Sequence, residues 1–350
     1  MNNKLIFILK TLAIMTVFFV PTMIQMLIFD PGYFFTKFDT TINICNNDAV
    51  DRLVMPAILR KIKPETLIVG NSLANELKPE KINEKFSTHS LNASQRGTQL
   101  FEQQNLLKFD FKINKNLKRV IWVLHDNLIC NPDPYPDGKA LHYQSYLYEN
   151  EIIKYLYLFD PTLLSFTKNK SRTENIYNMN FYDDDFFNFY KEYFNDSTFN
   201  LPKTINTITD TVPIKDNIKS CLDTRIISRI QSIPQDIEII FIFPPVRLRN
   251  YYHYDIRQLL AARKYLVEQL SPEKNISFYD FSIEDAISLD STLFFDHMHF
   301  SDDIGDFIVD NLNSDGKYFV TESNIDEVNN TLIKQINELN ILSEDEIKKY

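Results

Sequence analysis

The longest apolar stretch opens the chain: residues 5–29 read LIFILKTLAIMTVFFVPTMIQMLIF, with Lys10 the one charge inside it. At about 1.5 Å per residue a helix of this length exceeds the roughly 30 Å hydrocarbon core of a bilayer, so the run predicts a membrane-crossing helix with some tilt. Lys10 lies one to two turns in and can snorkel toward the interface beside Lys4. Pro21 is a kink that membrane helices tolerate. A cleaved signal peptide is the other reading, but the run is long for one and no A-x-A-like site follows it. Lys4 and Lys10 precede the span while Asp30 and Asp39 follow it, which predicts a cytoplasmic N-terminus and places the bulk of the chain outside. No second stretch is long and apolar enough to span.

Beyond the span the pattern changes period. Residues 31–62 have mixed polarity and read as a connector with one helix around 48–61. Four short, continuous apolar runs then predict buried strands: 65–69 (ETLIV), 120–124 (VIWVL), 237–243 (IEIIFIF) and 276–281 (ISFYDF). Helical spacing separates them over 73–86 (around Pro79), 98–108, 254–270 and 304–312, with Ser301 or Asp302 placed to cap the last. Continuous apolar strands alternating with helices predict an α/β domain with a parallel sheet covered on both faces. Between about 140 and 235 the rhythm breaks into a Tyr- and Phe-rich stretch, mostly helical where it is readable, which reads as an inserted cap. From Ser323 on, Ile325, Val328, Leu332, Ile336 and Leu339 recur at helical spacing. The resulting division is an anchor (1–30), a connector (31–62), a domain (63–318, with the insertion at 140–235) and a C-terminal amphipathic helix (319–350).

Composition narrows the function. Lys and Arg total 37 against 47 Asp and Glu, a formal charge of −10. That balance argues against a nucleic-acid binder, whose affinity comes from cationic neutralisation of phosphates. Three cysteines at wide spacing make neither a disulfide scaffold nor a thiolate zinc cage. Glycine is scarce, six in 350 against roughly 25 at average usage, so each surviving glycine points to a backbone requirement.

Three polar segments follow predicted strands or precede the last helix, where open α/β sheets hold their sites. In Gly70-Asn71-Ser72 a strand runs into a helix start, which would raise the Ser72 hydroxyl over the sheet edge with its N–H facing developing negative charge. A simple N-cap serine fits the same place. In Asn92-Ala93-Ser94-Gln95-Arg96-Gly97, Gly97 suits a backbone N–H offered to an oxyanion, or a plain turn. In Asp296-His297-Met298-His299 a carboxylate can fix an imidazole tautomer and leave the other ring nitrogen to take a serine proton. The same residues could begin a metal site, but no further ligand at obvious spacing completes one. No metal or other cofactor is expected.

Taken in order, these blocks resemble the SGNH (GDSL-type) hydrolase superfamily over about residues 64–312. Gly70-Asn71-Ser72 is similar to its first block, with Asn71 where many members carry Asp. Asn92 to Gly97 is similar to the second block, and Asp296-His297-Met298-His299 to the fifth. The third block, Gly-x-Asn-Asp in the family, reads His125-Asp126-Asn127-Leu128 here, so either Asn127 or Asp126 stands at its functional position. The resemblance implies a three-layer α/β/α, flavodoxin-like fold. It also implies Ser72 as nucleophile, His299 as base and Asp296 as its orienter, with an oxyanion hole of the Ser72 and Gly97 amides and Asn127. More narrowly, the anchor, the LIVGNS and LNAS blocks, Phe-Pro-Pro after the third strand and FFDHMHFSDDIG resemble membrane-anchored SGNH-like proteins of bacterial cell-envelope polysaccharide systems. That implies a single-pass protein of the bacterial inner (cytoplasmic) membrane, with its main domain in the periplasm or otherwise outside the cytoplasm. An esterase or O-acyltransferase for acyl, chiefly acetyl, esters of envelope glycans or small esters is the implied activity, with a membrane-bound O-acyltransferase as a possible partner. The alternative is a catalytically silent SGNH-like subunit that binds glycan or such an acyltransferase.

Overall fold

The computed structural model describes residues 3–37, 41–45, 50–126, 129, 144–149, 153–167, 170–175, 208, 212–231, 233–253, 255–273, 275–296 and 298–339. The eight strands among them are β1 (Thr41–Cys45), β2 (Thr66–Val69), β3 (Ser90–Asn92), β4 (Arg119–Val123), β5 (Lys170–Asn175), β6 (Glu238–Phe243), β7 (Ile276–Asp280) and β8 (Phe319–Val320). Six form one sheet in the order β3-β2-β4-β6-β7-β8. All neighbours in it run parallel except β8, which lies antiparallel to β7. β1 and β5 make a separate antiparallel pair.

The four apolar runs of the sequence are β2, β4, β6 and β7, each within one residue of its expected ends. β2 is buried along its whole length and β6 along all but its first residue, as strands covered on both faces must be. In register, Trp122 faces Phe241 and Phe241 faces Phe278. Their rings stack at centroid separations of 5.5 Å and 4.9 Å, a cross-strand aromatic ladder through the sheet. The Trp122 indole N–H donates to Gln103 Oε1 at 2.7 Å, which settles the one polar atom that this ladder buries.

The helices that bear on the site are α1 (Asn3–Phe29), α2 (Val50–Ile62), α3 (Pro79–Phe86), α4 (Leu100–Ile113), α5 (Asp216–Leu222), α6 (Ile256–Leu270), α7 (Asp302–Asp310) and α8 (Ile325–Leu339). α1 is long and apolar enough to cross a membrane, and only its C-terminal end is buried against the rest of the chain, at Met26. α2, expected within a connector, is part of the body: Leu53, Val54, Met55, Ile58 and Leu59 are all buried.

One helix departs from its sequence pattern. Residues 73–86 do not form a single helix; a 3₁₀ turn at Ser72–Ala74 is followed by α3, which begins with Pro79. Proline has no N–H to give to the preceding turn and its fixed φ suits a helix start, so it separates the two. The 140–235 insertion is described only in part. Its described pieces are the 3₁₀ segments Ser145–Tyr148, Ile153–Phe159 and Pro161–Thr167, then β5 and α5 with its continuation.

Candidate active site

β2 runs into Gly70, where a side chain has no room: a Cβ there would lie 2.7 Å from the Ala74 Cβ and 3.2 Å from the Val123 carbonyl oxygen. The chain then stays extended at Asn71, whose side-chain oxygen accepts the Leu73 N–H at 3.1 Å and so caps the 3₁₀ turn. This capping starts the turn at Ser72. The site therefore lies at the carboxyl end of β2, where the order of the sheet reverses between β3 on one side and β4 on the other. Open α/β sheets bind their ligands at such a point.

The partner comes from the other end of the chain. Phe295 N–H bonds to the His299 carbonyl at 2.8 Å, and Ser301 N–H to that of Leu293 at 3.0 Å, closing a narrow loop around 293–301. Within it Asp296 Oδ1 accepts the backbone N–H groups of Met298 (2.7 Å) and His299 (2.8 Å). Asp296 Oδ2 meets His299 Nδ1 at 2.6 Å, and His299 Nε2 meets Ser72 Oγ at 2.7 Å. Ser72 is 9% exposed and Asp296 7%. Burial pushes the Asp296 carboxyl up, but hydrogen bonds and charge from His299, with the two backbone amides, outweigh it and bring it down to about 2. An ionised carboxylate accepts a hydrogen bond from Nδ1–H and so holds the proton on that nitrogen, which leaves the Nε2 lone pair facing the serine hydroxyl. A hydroxyl, an imidazole base and an orienting carboxylate in this geometry can activate an oxygen nucleophile for acyl transfer.

The second segment is tied to the first. Asn92 Nδ2 donates to the carbonyls of Ala74 (2.7 Å) and Leu77 (3.1 Å), just past Ser72. Ser94 Oγ donates to Asn75 Oδ1 at 2.5 Å, and Gln95 N–H and Thr98 Oγ1 both reach the Gly70 carbonyl at 3.1 Å. Gly97 has φ +60°, in the left-handed region that a glycine reaches without strain. From the other side, Asp51 Oδ2 accepts the Arg96 N–H at 2.7 Å and Arg52 Nη1 donates to the Arg96 carbonyl at 2.8 Å. Asp51 and Arg52 were silent in the sequence, where α2 looked peripheral. Their signal was an adjacent acid and base in the first turn of α2, directly ahead of the apolar run 53–59.

Asn127 and His297 lie outside the described residues. Asp126, the alternative third-block residue, is a buried ion-pair partner: Oδ1 accepts from Arg263 Nη2 at 2.6 Å and Nε at 3.2 Å. Arg263 also donates to Asp280 Oδ2 at 2.9 Å and is itself fully buried. Burial alone would favour losing the guanidinium proton; the carboxylates of Asp126 and Asp280 outweigh it and hold the proton firmly. The negative charge of Asp126 is thus matched inside the domain. Arg263 was legible in principle, because it falls on the buried face of α6 with Ile256, Leu259, Leu260 and Leu266.

The two halves of the site touch again at α7. A Cβ on Gly305 would lie 2.0 Å from the Glu76 carbonyl oxygen, so the helix after His299 presses directly on the segment after Ser72. Gly305→Ala must push them apart. It should cost about 1–3 kcal/mol, as overpacking does, and slow any Ser72-dependent chemistry by more than the stability loss explains. Thermal melting and reaction rate, measured on the same preparation, check this.

Glu76 itself is buried, and burial, with the Asp302 carboxylate hydrogen-bonded to it, raises its pKa from 4.5 to about 9. Asp302 is lowered by the same hydrogen bond and by Lys78, whose Nζ lies 2.9 Å away. The unfolded chain gives up the Glu76 proton near its ordinary value while the folded chain keeps it. The stabilisation from this group is therefore complete below about pH 4.5 and is lost as pH rises toward 9. Glu76→Gln keeps a donor to Asp302 but removes the titration. It should be more stable than wild type at pH 9 by at least about 1 kcal/mol, with the difference shrinking at low pH. Urea unfolding across that range measures it.

No protein-family model matches the chain, and no curated protein matches it either.

Proposed function

We propose that this chain is a membrane-anchored serine esterase or O-acyltransferase of the SGNH (GDSL-type) kind, acting on acyl, chiefly acetyl, esters of cell-envelope glycans through an acyl-serine intermediate. The observation that carries the reading is the Ser72–His299–Asp296 relay, closed at 2.7 Å and 2.6 Å between residues far apart in sequence. Its support from the fold is the order of the parallel strands. Numbered among themselves they run 2-1-3-4-5, the flavodoxin-like order, with Ser72 at the switch point. A three-layer α/β/α domain of that kind belongs to the proposal, as do its place beyond a bacterial inner membrane, a cytoplasmic N-terminus ahead of α1 and a membrane-bound O-acyltransferase as working partner.

In this mechanism His299 Nε2 takes the Ser72 proton as Oγ attacks the ester carbonyl carbon. The amides of Ser72 and Gly97, with the Asn127 side chain, hold the oxyanion; one such donor is typically worth about 10²–10³ in rate. Asp296 stabilises the imidazolium, which then protonates the departing sugar oxygen as the tetrahedral intermediate collapses. Water, or the hydroxyl of a second sugar, attacks the acyl-serine with His299 again as base, giving hydrolysis or transfer. Ser72 should be the residue that a fluorophosphonate modifies in the full chain, as located by peptide mass spectrometry. A folded chain that takes up no label would hand the reading to a silent, glycan- or acyltransferase-binding subunit.

A further inference from the structure

Among the described residues outside α1, the exposed large apolar side chains are Tyr155 (50% exposed), Leu156 (54%) and Phe159 (41%), all on one 3₁₀ segment, Ile153–Phe159. Together they form a single patch, and that patch lies against α1. The Phe159 ring meets the Phe19 ring edge-on at a centroid separation of 5.8 Å. Tyr157, buried beneath the patch, receives the Gly32 N–H on its hydroxyl at 2.6 Å and packs on Phe34 at 4.8 Å. The turn after α1 is itself pinned, because the Asp30 carboxylate accepts the N–H groups of Phe34, Phe35 and Thr36. The segment is therefore docked on the helix at a definite height.

That height decides what covers the patch. With Lys4 at the inner boundary of the hydrocarbon, Phe19 lies about 22 Å along the helix; with Lys10 there, about 14 Å, and the core is roughly 30 Å thick. In either register Phe19 is inside the hydrocarbon or just below its outer edge, and Phe159 is beside it. Burial of Met26 and partial burial of Met23 against the domain favour the Lys4 register. The patch then dips about 5–10 Å past the boundary, the depth of an interfacial helix.

We infer that Tyr155, Leu156 and Phe159 are a second membrane contact, inserted into the outer leaflet beside α1, and that the domain is held on the bilayer at two points. The inference rests on α1 spanning the membrane. The local chemistry agrees with it. Backbone in contact with lipid must satisfy its own hydrogen bonds, and Ile153–Phe159 and Pro161–Thr167 are both 3₁₀ helices. Asp160, just past the patch, is internally occupied: its carboxylate accepts the Tyr146 hydroxyl at 3.1 Å and the Thr162 N–H at 3.1 Å. A body held at two points cannot swing about the end of α1, so Ser72 keeps one height and one orientation over the membrane.

The test uses the full chain in phosphatidylcholine vesicles with ordinary or chain-brominated lipids, bromine being a quencher that acts only within the hydrocarbon. Trp122 is the single tryptophan and is 1% exposed, so wild type supplies a steady baseline. Phe18→Trp reports on α1 and Leu156→Trp on the patch; both positions are exposed, so neither substitution disturbs the core. The added emission of both variants should be lost in brominated lipid. Loss at Phe18→Trp with none at Leu156→Trp overturns the second contact and leaves the span standing. No loss at either position overturns both.

Discussion

Replacing His299 with alanine should slow reaction of the intact chain with a fluorophosphonate, and turnover of any acyl ester it accepts, by at least about 10³-fold; Ser72→Ala should abolish labelling outright. The magnitude follows from the geometry. Ser72 Oγ has its activating contact with one nitrogen at 2.7 Å, and without that base the hydroxyl must lose its proton to water. Because the two groups act as one unit, the double variant should be no slower in turnover than Ser72→Ala alone. Ser72→Ala should leave the unfolding midpoint close to that of wild type, whereas His299→Ala takes the imidazole partner from the buried Asp296 carboxylate and should lower it. Undiminished labelling in His299→Ala would remove the base from the mechanism.

Asp296→Asn should lower the same rates by about 10⁴ while leaving the loop intact. The Asn oxygen can still accept the Met298 and His299 amides that Oδ1 accepts now. The opposite side of the group decides the outcome. An amide nitrogen facing His299 Nδ1 must donate, which forces the imidazole into the tautomer with its proton on Nε2. That nitrogen can then no longer accept from Ser72. Nitrogen-15 shifts of the ring should show the change of tautomer directly, a readout that general loosening would not produce. A stability consequence accompanies it. The Asp296 carboxyl is lowered from 3.8 to about 2, so in wild type it contributes stability above pH 3.8 that is lost as pH falls toward 2. The full contribution is about 2 kcal/mol, and Asp296→Asn should not show that loss in acid unfolding.

How far the sequence reaches differs from element to element. β2, β4, β6 and β7 were legible because a strand buried on both faces must be apolar at every position, and a continuous run such as IIFIF has few other uses. α1 was legible from length and composition alone. β3 and β8 were not, since they have three and two residues. Strands that short exist only because a neighbour offers its edge. The helix pattern across residues 73–86 misled for the complementary reason: apolar spacing continues through Pro79 although hydrogen bonding cannot.

The site divides along the same line. Ser72, Gly97, Asp296 and His299 could be named beforehand because each stands in a short polar segment after a strand or before a helix, where open α/β sheets hold their sites. Asp126 in its alternative role could not be settled, because its partner Arg263 lies 137 positions away on another element. The sequence by itself determined the long apolar helix, the inner strands, the polar blocks and the Asp–His turn, all properties of residues close together along the chain. Only the tertiary structure decided that Ser72 and His299, 227 positions apart, meet within hydrogen-bond reach, that Glu76 backs onto Gly305, and that Phe159 lies beside Phe19. Those contacts depend on how sheet and helices pack as rigid bodies, and no local pattern encodes that distance.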